Sequence, residues 1–270
     1  MTFWAKLLEI LDAKMTTPTS YGWFHIMWLV ISIGSGILLC YLYKKGIIKN
    51  VKGVMLALYI TIIVLEIYKI ANFGFSYEDE ISYNFPWYIF PWQFCSTPMY
   101  VGLIAALTRG KVHDFCCSFL ATFAVFAGLA VMAYPGDVFI ETIGINIQTM
   151  ICHGSMITMG IFLYYTNHVK TEFKTLFKGI SVFSICIAIA IALNEIGHVV
   201  GITEDNYFNM FYISRHEDPH LPVYSSVQAV VPYPFSLIIY IMGFSIAACI
   251  MLLAAMGIKK IGAKLNKKEN

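Results

Sequence analysis

Long apolar runs recur along the whole chain and are separated by short polar connections. Each run holds about 20 residues, the length that a helix needs to cross a hydrocarbon core of roughly 30 Å. Only 13% of the residues are charged, whereas soluble domains carry about 25%. The pattern predicts an all-α polytopic membrane protein, a seven-transmembrane-helix bundle with helices near 22–43, 54–73, 90–108, 114–134, 146–167, 178–200 and 233–257.

The N-terminal stretch MTFWAKLLEILDAK has a different pattern. Phe3, Leu7 and Leu11 follow helical spacing, with Glu9 and Asp12 on the other side, which predicts a short amphipathic helix lying in the membrane interface. Its acids and the lack of a small-residue cleavage site argue against a signal peptide. We therefore expect three parts: an interfacial helix at 1–20, a seven-helix domain at 21–258 and a basic cytoplasmic tail at 259–270.

Basic residues alternate from one connection to the next. Fourteen of the eighteen Lys and Arg residues follow the first, third and fifth predicted helices or lie in the C-terminal tail. The opposite connections carry acids, as at Glu78–Glu80, Asp137 and Glu204–Asp205. The positive-inside rule then predicts a multi-pass protein of the cell membrane, with its N-terminus outside and its C-terminus in the cytoplasm.

All seven cysteines fall inside predicted spans, so the sequence gives no sign of a disulfide framework. A small buried hydrophobic residue is the default interpretation of each. They are Cys40, Cys95, Cys116, Cys117, Cys152, Cys186 and Cys249.

Several polar side chains interrupt the apolar runs at a similar distance from the predicted outer surface. Ionisable groups are costly within lipid, so they normally face the bundle interior and often mark function. Their common level predicts a polar cavity in the outer half of the bilayer, although an ion pair that merely joins helices explains Glu66 and Lys69 equally well. The residues concerned are Glu66, Lys69, Gln93, Cys95, Gln148, His153, Asn194, Glu195 and His198.

The stretch FPWQFC at 90–95 places a thiol near the start of the third predicted helix. Pro91 is a natural first helical residue, which would put Cys95 just past the first turn, near the positive end of the helix dipole. A neighbouring imidazole such as His153 would activate the thiol, and first-turn amides or the Gln93 side chain would stabilise an oxyanion. An inert thiol and a hydrogen-bonded structural histidine remain the alternative.

At these residues the sequence resembles the YwaF-like integral membrane family, whose eukaryotic relatives include a cysteine-dependent ether-phospholipid acyltransferase. It is more distantly similar to the androgen-induced transmembrane hydrolases. The matching motifs, in order, are PWQFC at 91–95, ICHGSM at 151–156, NYFNMFYISRHEDPHLP at 206–222 and VVPYPFSLIIY at 230–240.

The resemblance implies that Cys95 is an acyl-accepting nucleophile and that His153 is its base. The expected partner is a membrane phospholipid or another acyl lipid, with no nucleic acid and no cofactor or metal. Apart from the resemblance, Glu195 and His198 would either orient His153 or bond only to backbone. Arg215 would either contact a headgroup or lie in a solvated 202–231 outer loop.

Two other functions remain open at this stage. One is a seven-helix zinc hydrolase that uses His153, His198, Glu66 or Glu195 as ligands. The other is a non-catalytic binding or transport protein with the polar cavity as its ligand site.

Overall fold

Helices make up most of the computed structural model, which describes residues 3–76, 81–202 and 207–266. Within these residues, six helices (α2, α3, α5, α6, α7 and α9) are long and apolar enough to cross a membrane. The prediction of an all-α polytopic membrane protein is therefore confirmed. The helices are α1 (Phe3–Leu11), α2 (Trp23–Lys44), α3 (Val51–Gly74), α4 (Thr97–Leu107), α5 (Gly110–Ala133), α6 (Ile143–Tyr165), α7 (Phe173–Val199), α8 (Tyr224–Val230) and α9 (Tyr233–Asn266).

Two features interrupt this helical pattern. The strands β1 (Phe75–Ser76) and β2 (Ser82–Tyr83) form a small antiparallel ladder after α3. Within α5, Leu120–Ala124 forms a fully buried π-helical turn.

The third predicted helix differs most from the structure. It begins at Thr97, not at Pro91, and its eleven residues span about 16 Å. Pro98 explains the shift, because a proline is tolerated in the first turn but in a helix interior its ring clashes with the carbonyl four residues earlier. A helix begun at Pro91 would place Pro98 in that interior position, so the chain stays irregular until just before it.

Helix α6 is the most buried of the six long helices. It packs against α2, α3 and α5, and small residues allow close approach at these contacts. Gly154 faces the side chain of Ser32 on α2, and Gly128 on α5 faces the carbonyl of His153. These contacts fix the backbone that presents His153.

The connections that carry the basic residues lie together at one end of the bundle. Successive connections therefore lie at alternate ends of the bundle, as the charge pattern along the sequence predicts. The contacts that show this are the Lys52 ammonium with the Thr108 carbonyl, the rings of His113 and His168 at 5.6 Å, and Lys259 with Asn167 at 3.5 Å.

The N-terminal segment lies at the opposite end. The amide of Met15 donates to the carbonyl of Glu141 at 2.7 Å, and Tyr68 donates to the carbonyl of Leu11 at 2.6 Å. The expected acidic stretches of this end, Glu78–Glu80 and Glu204–Asp205, lie outside the described residues, as do Lys267 and Lys268.

Helix α9 continues through Lys259, Lys260 and Lys264. The start of the expected basic tail is therefore a helical extension of the last span.

Candidate functional site

Cys95 lies in an irregular segment directly ahead of α4. The carbonyl of Gln93 accepts hydrogen bonds from the amides of Ser96 (2.9 Å) and Thr97 (3.0 Å), which closes a turn around the thiol. Cys95 is half-buried and precedes the helix, so the prediction that it follows the first turn is wrong. Because non-helical backbone inside a membrane needs protein around it, the neighbours of this segment define the candidate site.

Two side-chain amides hold a second irregular segment, residues 207–214, against the first. Gln93 donates to the carbonyl of Asn209 (2.9 Å) and accepts from the amide of Phe211 (2.8 Å). Asn194 donates to the carbonyl of Met210 (3.1 Å) and accepts from its amide (2.7 Å). We call this arrangement the amide clamp; it fixes the 207–214 segment from α7 on one side and from the Cys95 segment on the other.

The clamped segment has an uncommon backbone. Phe211 and Tyr212 have φ of +59° and +55°, a left-handed conformation that bulky residues seldom adopt. The hydroxyl of Tyr240 donates to the carbonyl of Phe211 at 3.0 Å. Tyr212 in the strained turn and Tyr240 on α9 both lie near enough to Cys95 to interact with it electrostatically.

The clamp changes the role expected for Gln93. Both its oxygen and its nitrogen bind the backbone of the 207–214 segment, so Gln93 acts as a positioning residue there. The amide of Trp92, which would be a free first-turn amide in a helix begun at Pro91, instead donates to the carbonyl of Phe90 at 2.7 Å.

A largely buried ion pair lies near the thiol. Lys69 and Glu66 on α3 are 2.6 Å apart, and both act electrostatically on Cys95. Gln148 on α6 donates to Glu66 at 3.2 Å and lies 3.4 Å from the sulfur of Cys152. The pair therefore joins α3 to α6 at the level of Cys95.

His153 follows Cys152 on α6 and is buried. Its Nδ1 is 2.8 Å from the carbonyl of Thr149 and must donate to it, because a carbonyl only accepts. The neutral ring then keeps the lone pair of Nε2, the form required of a base. Lys69 acts electrostatically on both Cys95 and His153, yet the hydrogen bonds of the described residues include none between those two side chains.

Glu195, His198 and Arg215 form a separate cluster at the end of α7. Arg215 pairs with Glu195 at 2.7 Å, which raises the pKa of the Arg215 guanidinium above its usual value. His198 stacks on His216 with ring centroids 3.7 Å apart. Since these contacts engage Glu195 and His198, the expectation that they orient His153 is not supported by the described contacts.

The ligands suggested for zinc are divided between these two places. Glu66 pairs with Lys69 beside Cys95, whereas Glu195 pairs with Arg215. In the part of the chain that the structure describes, no three His, Cys, Asp or Glu residues are grouped so as to hold a metal ion. The donor arrangement therefore does not fit the zinc hydrolase alternative.

Another thiol–imidazole contact was missed by the sequence reasoning. Cys117 Sγ lies 3.5 Å from His113 Nε2, and His113 Nδ1 donates to the carbonyl of Ala105 at 2.7 Å. The signal was their i, i+4 spacing on one helix. Cys117 is fully buried and lies at the basic end of the bundle. We therefore interpret its contact with His113 as structural and use Cys117 as the cysteine with which Cys95 is compared in experiments.

The candidate site lies wholly within the part of the chain that sequence comparison recognises. The comparisons found no match among curated proteins or among solved structures. A model described as the TMEM164 family matches residues 20–256, which include the thiol, the ion pair, the amide clamp and His153. This membrane protein therefore belongs to the TMEM164 family.

Proposed function

We propose that this protein transfers or hydrolyses lipid acyl groups, with Cys95 as the nucleophile and His153 as the base. One observation carries the proposal. Helix α4 is too short to span the membrane, and the irregular backbone before it holds a half-buried thiol near the Glu66–Lys69 pair. Interrupted helices inside a membrane are tolerated where they are enclosed by protein or line a cavity, and buried charges there commonly mark function.

The first half-reaction forms a thioester. His153 Nε2 takes the proton of the Cys95 thiol, and the sulfur bonds to the carbonyl carbon of a lipid ester. The bond from that carbon to the alcohol oxygen then breaks, and the departing oxygen takes the proton from the imidazolium. The product is an acyl-Cys95 enzyme and a lysolipid.

The second half-reaction regenerates the thiol. An acceptor hydroxyl gives its proton to His153 and attacks the thioester, and the carbon–sulfur bond breaks as the sulfur regains the proton. Water as acceptor makes the protein a hydrolase, and a lysolipid alcohol makes it a transferase.

This chemistry requires Cys95 and His153 to approach each other. Catalytic hydrogen bonds are often long in substrate-free enzymes and tighten when substrate binds. The partial exposure of Cys95 and the unengaged Nε2 of His153 support such an approach, directly or through one water molecule.

The charge pattern also supports an orientation. We propose that the end carrying the basic connections faces the cytoplasm of a cell membrane. The site then lies in the outer half of the bilayer, within reach of acyl esters of the outer leaflet.

Turnover by cysteine variants tests the proposal. The full-length protein in phosphatidylcholine vesicles is supplied with a labelled diacylphospholipid, and release or transfer of the acyl group is measured. Cys95→Ala is expected to abolish turnover, and His153→Ala to lower it by on the order of a hundredfold. Cys117→Ala and Cys249→Ala are matched controls that keep it; activity that survives in Cys95→Ala but not in Cys117→Ala would contradict the assignment.

The lack of a Cys95–His153 hydrogen bond in the described residues favours a second candidate, a non-catalytic lipid-binding protein. Saturable binding of a phospholipid by the wild type, unchanged in Cys95→Ala and without turnover in either, would identify that function.

A further inference from the structure

An apolar cavity of about 290 Å³ lies between α9 and the 221–227 region. Tyr240, Gly243 and Phe244 form its α9 wall, and Tyr224 and Phe126 contribute the facing surfaces. Its lining is almost entirely carbon. Ile239 and Val223, which also line the cavity, are exposed on the surface of the bundle, so the cavity opens laterally.

Two of the lining rings also belong to the surroundings of Cys95. Phe244 packs against Phe94, the residue before Cys95, with ring centroids 4.9 Å apart. Tyr240 lies within electrostatic reach of Cys95 and holds the carbonyl of Phe211. Phe244 therefore lies between the cavity and the segment that carries Cys95.

We propose that this cavity takes the acyl chain of the lipid ester while its carbonyl lies at Cys95. The inference rests on the proposed function. It adds the route by which the acyl chain enters from the bilayer and the residue that limits the length of that chain. The occupant follows from three features: a carbon-lined wall, a lateral opening towards lipid, and rings shared with the nucleophile. A hydrocarbon chain satisfies all three, because it needs no hydrogen bonds and arrives from the bilayer.

Gly243 sets how much room the chain has. A Cβ built at this position meets no atom within 4 Å, so the space beside it is open. A larger side chain would project into that space without meeting the backbone, and it would occupy volume that a bound hydrocarbon chain would otherwise fill. Gly243 is thus the proposed determinant of chain length.

Substitution at Gly243 tests the inference in the full-length protein. Acylation of Cys95 is measured by mass spectrometry with two probes, p-nitrophenyl oleate and p-nitrophenyl acetate. Gly243→Leu is expected to lower the rate with oleate by about tenfold, because the leucine side chain takes apolar space that the oleoyl chain would bury, and to leave the rate with acetate unchanged. Gly257→Leu is the matched control, since Gly257 lies on the same helix with equally open space.

The outcomes separate this inference from the function on which it rests. Unchanged oleate acylation in Gly243→Leu overturns the cavity assignment while acetate acylation upholds Cys95 as nucleophile. No acylation of wild-type Cys95 by either probe overturns the function and the inference together. A photoreactive diazirine oleate ester adds a measurement that needs no variant: crosslinks within 239–244 support the assignment, and crosslinks confined to other helices overturn it.

Discussion

At the scale of single residues, the side chains near Cys95 divide into reacting and positioning groups. Gln93 and Asn194 both use their amides to hold backbone, although their positions within predicted apolar spans indicated groups that face a polar cavity. His25 is similar: it is fully buried, accepts from the amide of Tyr21 and donates to the carbonyl of Met132. A polar residue in a membrane span therefore needs its partners identified before a catalytic role is assigned.

Loss of either clamp residue is expected to destabilise the protein and to impair acyl transfer. Gln93→Ala or Asn194→Ala leaves buried backbone groups without partners, at a cost of about 2 kcal/mol each. Thermal unfolding in detergent and the turnover assay measure the two effects.

Asn50→Ala is the control for the clamp variants. Asn50 caps α3 by accepting from the amide of Gly53 at 3.0 Å, far along the helix from Glu66. Its removal costs about 1 kcal/mol and is expected to preserve turnover. Equal loss of activity in Asn50→Ala would show that activity follows stability alone, which would contradict a specific role for the clamp.

At the scale of elements, the shortened helix α4 is the feature on which the site depends. It leaves room for the Cys95 segment, and the α3–α6 interface closes the site through Glu66 and Gln148. The late start of α4 follows from Pro98, whereas the sequence pattern predicts Pro91 as the first helical residue. The predicted and observed helices differ in which of the two prolines lies in the first turn.

The ion pair between α3 and α6 gives a prediction at this scale. Lys69→Met leaves the buried Glu66 carboxylate unpaired and is expected to cost about 3 kcal/mol. The double variant Glu66→Gln, Lys69→Met removes both charges, so most of the stability should return. Unfolding measurements on the two variants check this; a double variant no more stable than Lys69→Met would mean that the pair does not act as a unit.

At the scale of the whole molecule, the sequence predicts the architecture better than it predicts the site. The helices and their alternating ends follow from apolar length and charge, which are local properties of each segment. The 207–214 segment falls within the predicted 202–231 outer loop. Its buried position depends on bonds to Gln93, Asn194 and Tyr240, which lie in other elements and leave no pattern in the loop itself.

The orientation of the bundle is a prediction for the intact membrane. Single cysteines are introduced at Asp137 and at Lys170, in a background without the half-buried Cys95 and Cys249. A membrane-impermeant maleimide added to intact cells is expected to label Asp137→Cys, and to label Lys170→Cys only after permeabilisation. The reverse result would invert the topology and move the site to the inner leaflet.

The most direct test of the central claim is to find the acyl group on the protein. Full-length protein is incubated with a labelled acyl phospholipid, quenched in acid and digested, and the peptides are mapped by mass spectrometry with and without hydroxylamine, which cleaves thioesters. The predicted result is a hydroxylamine-sensitive acyl group on Cys95 that is absent in Cys95→Ala and persists in Cys117→Ala. An acyl group found on Cys117, or none on any cysteine while lipid turnover proceeds, would contradict Cys95 as the nucleophile.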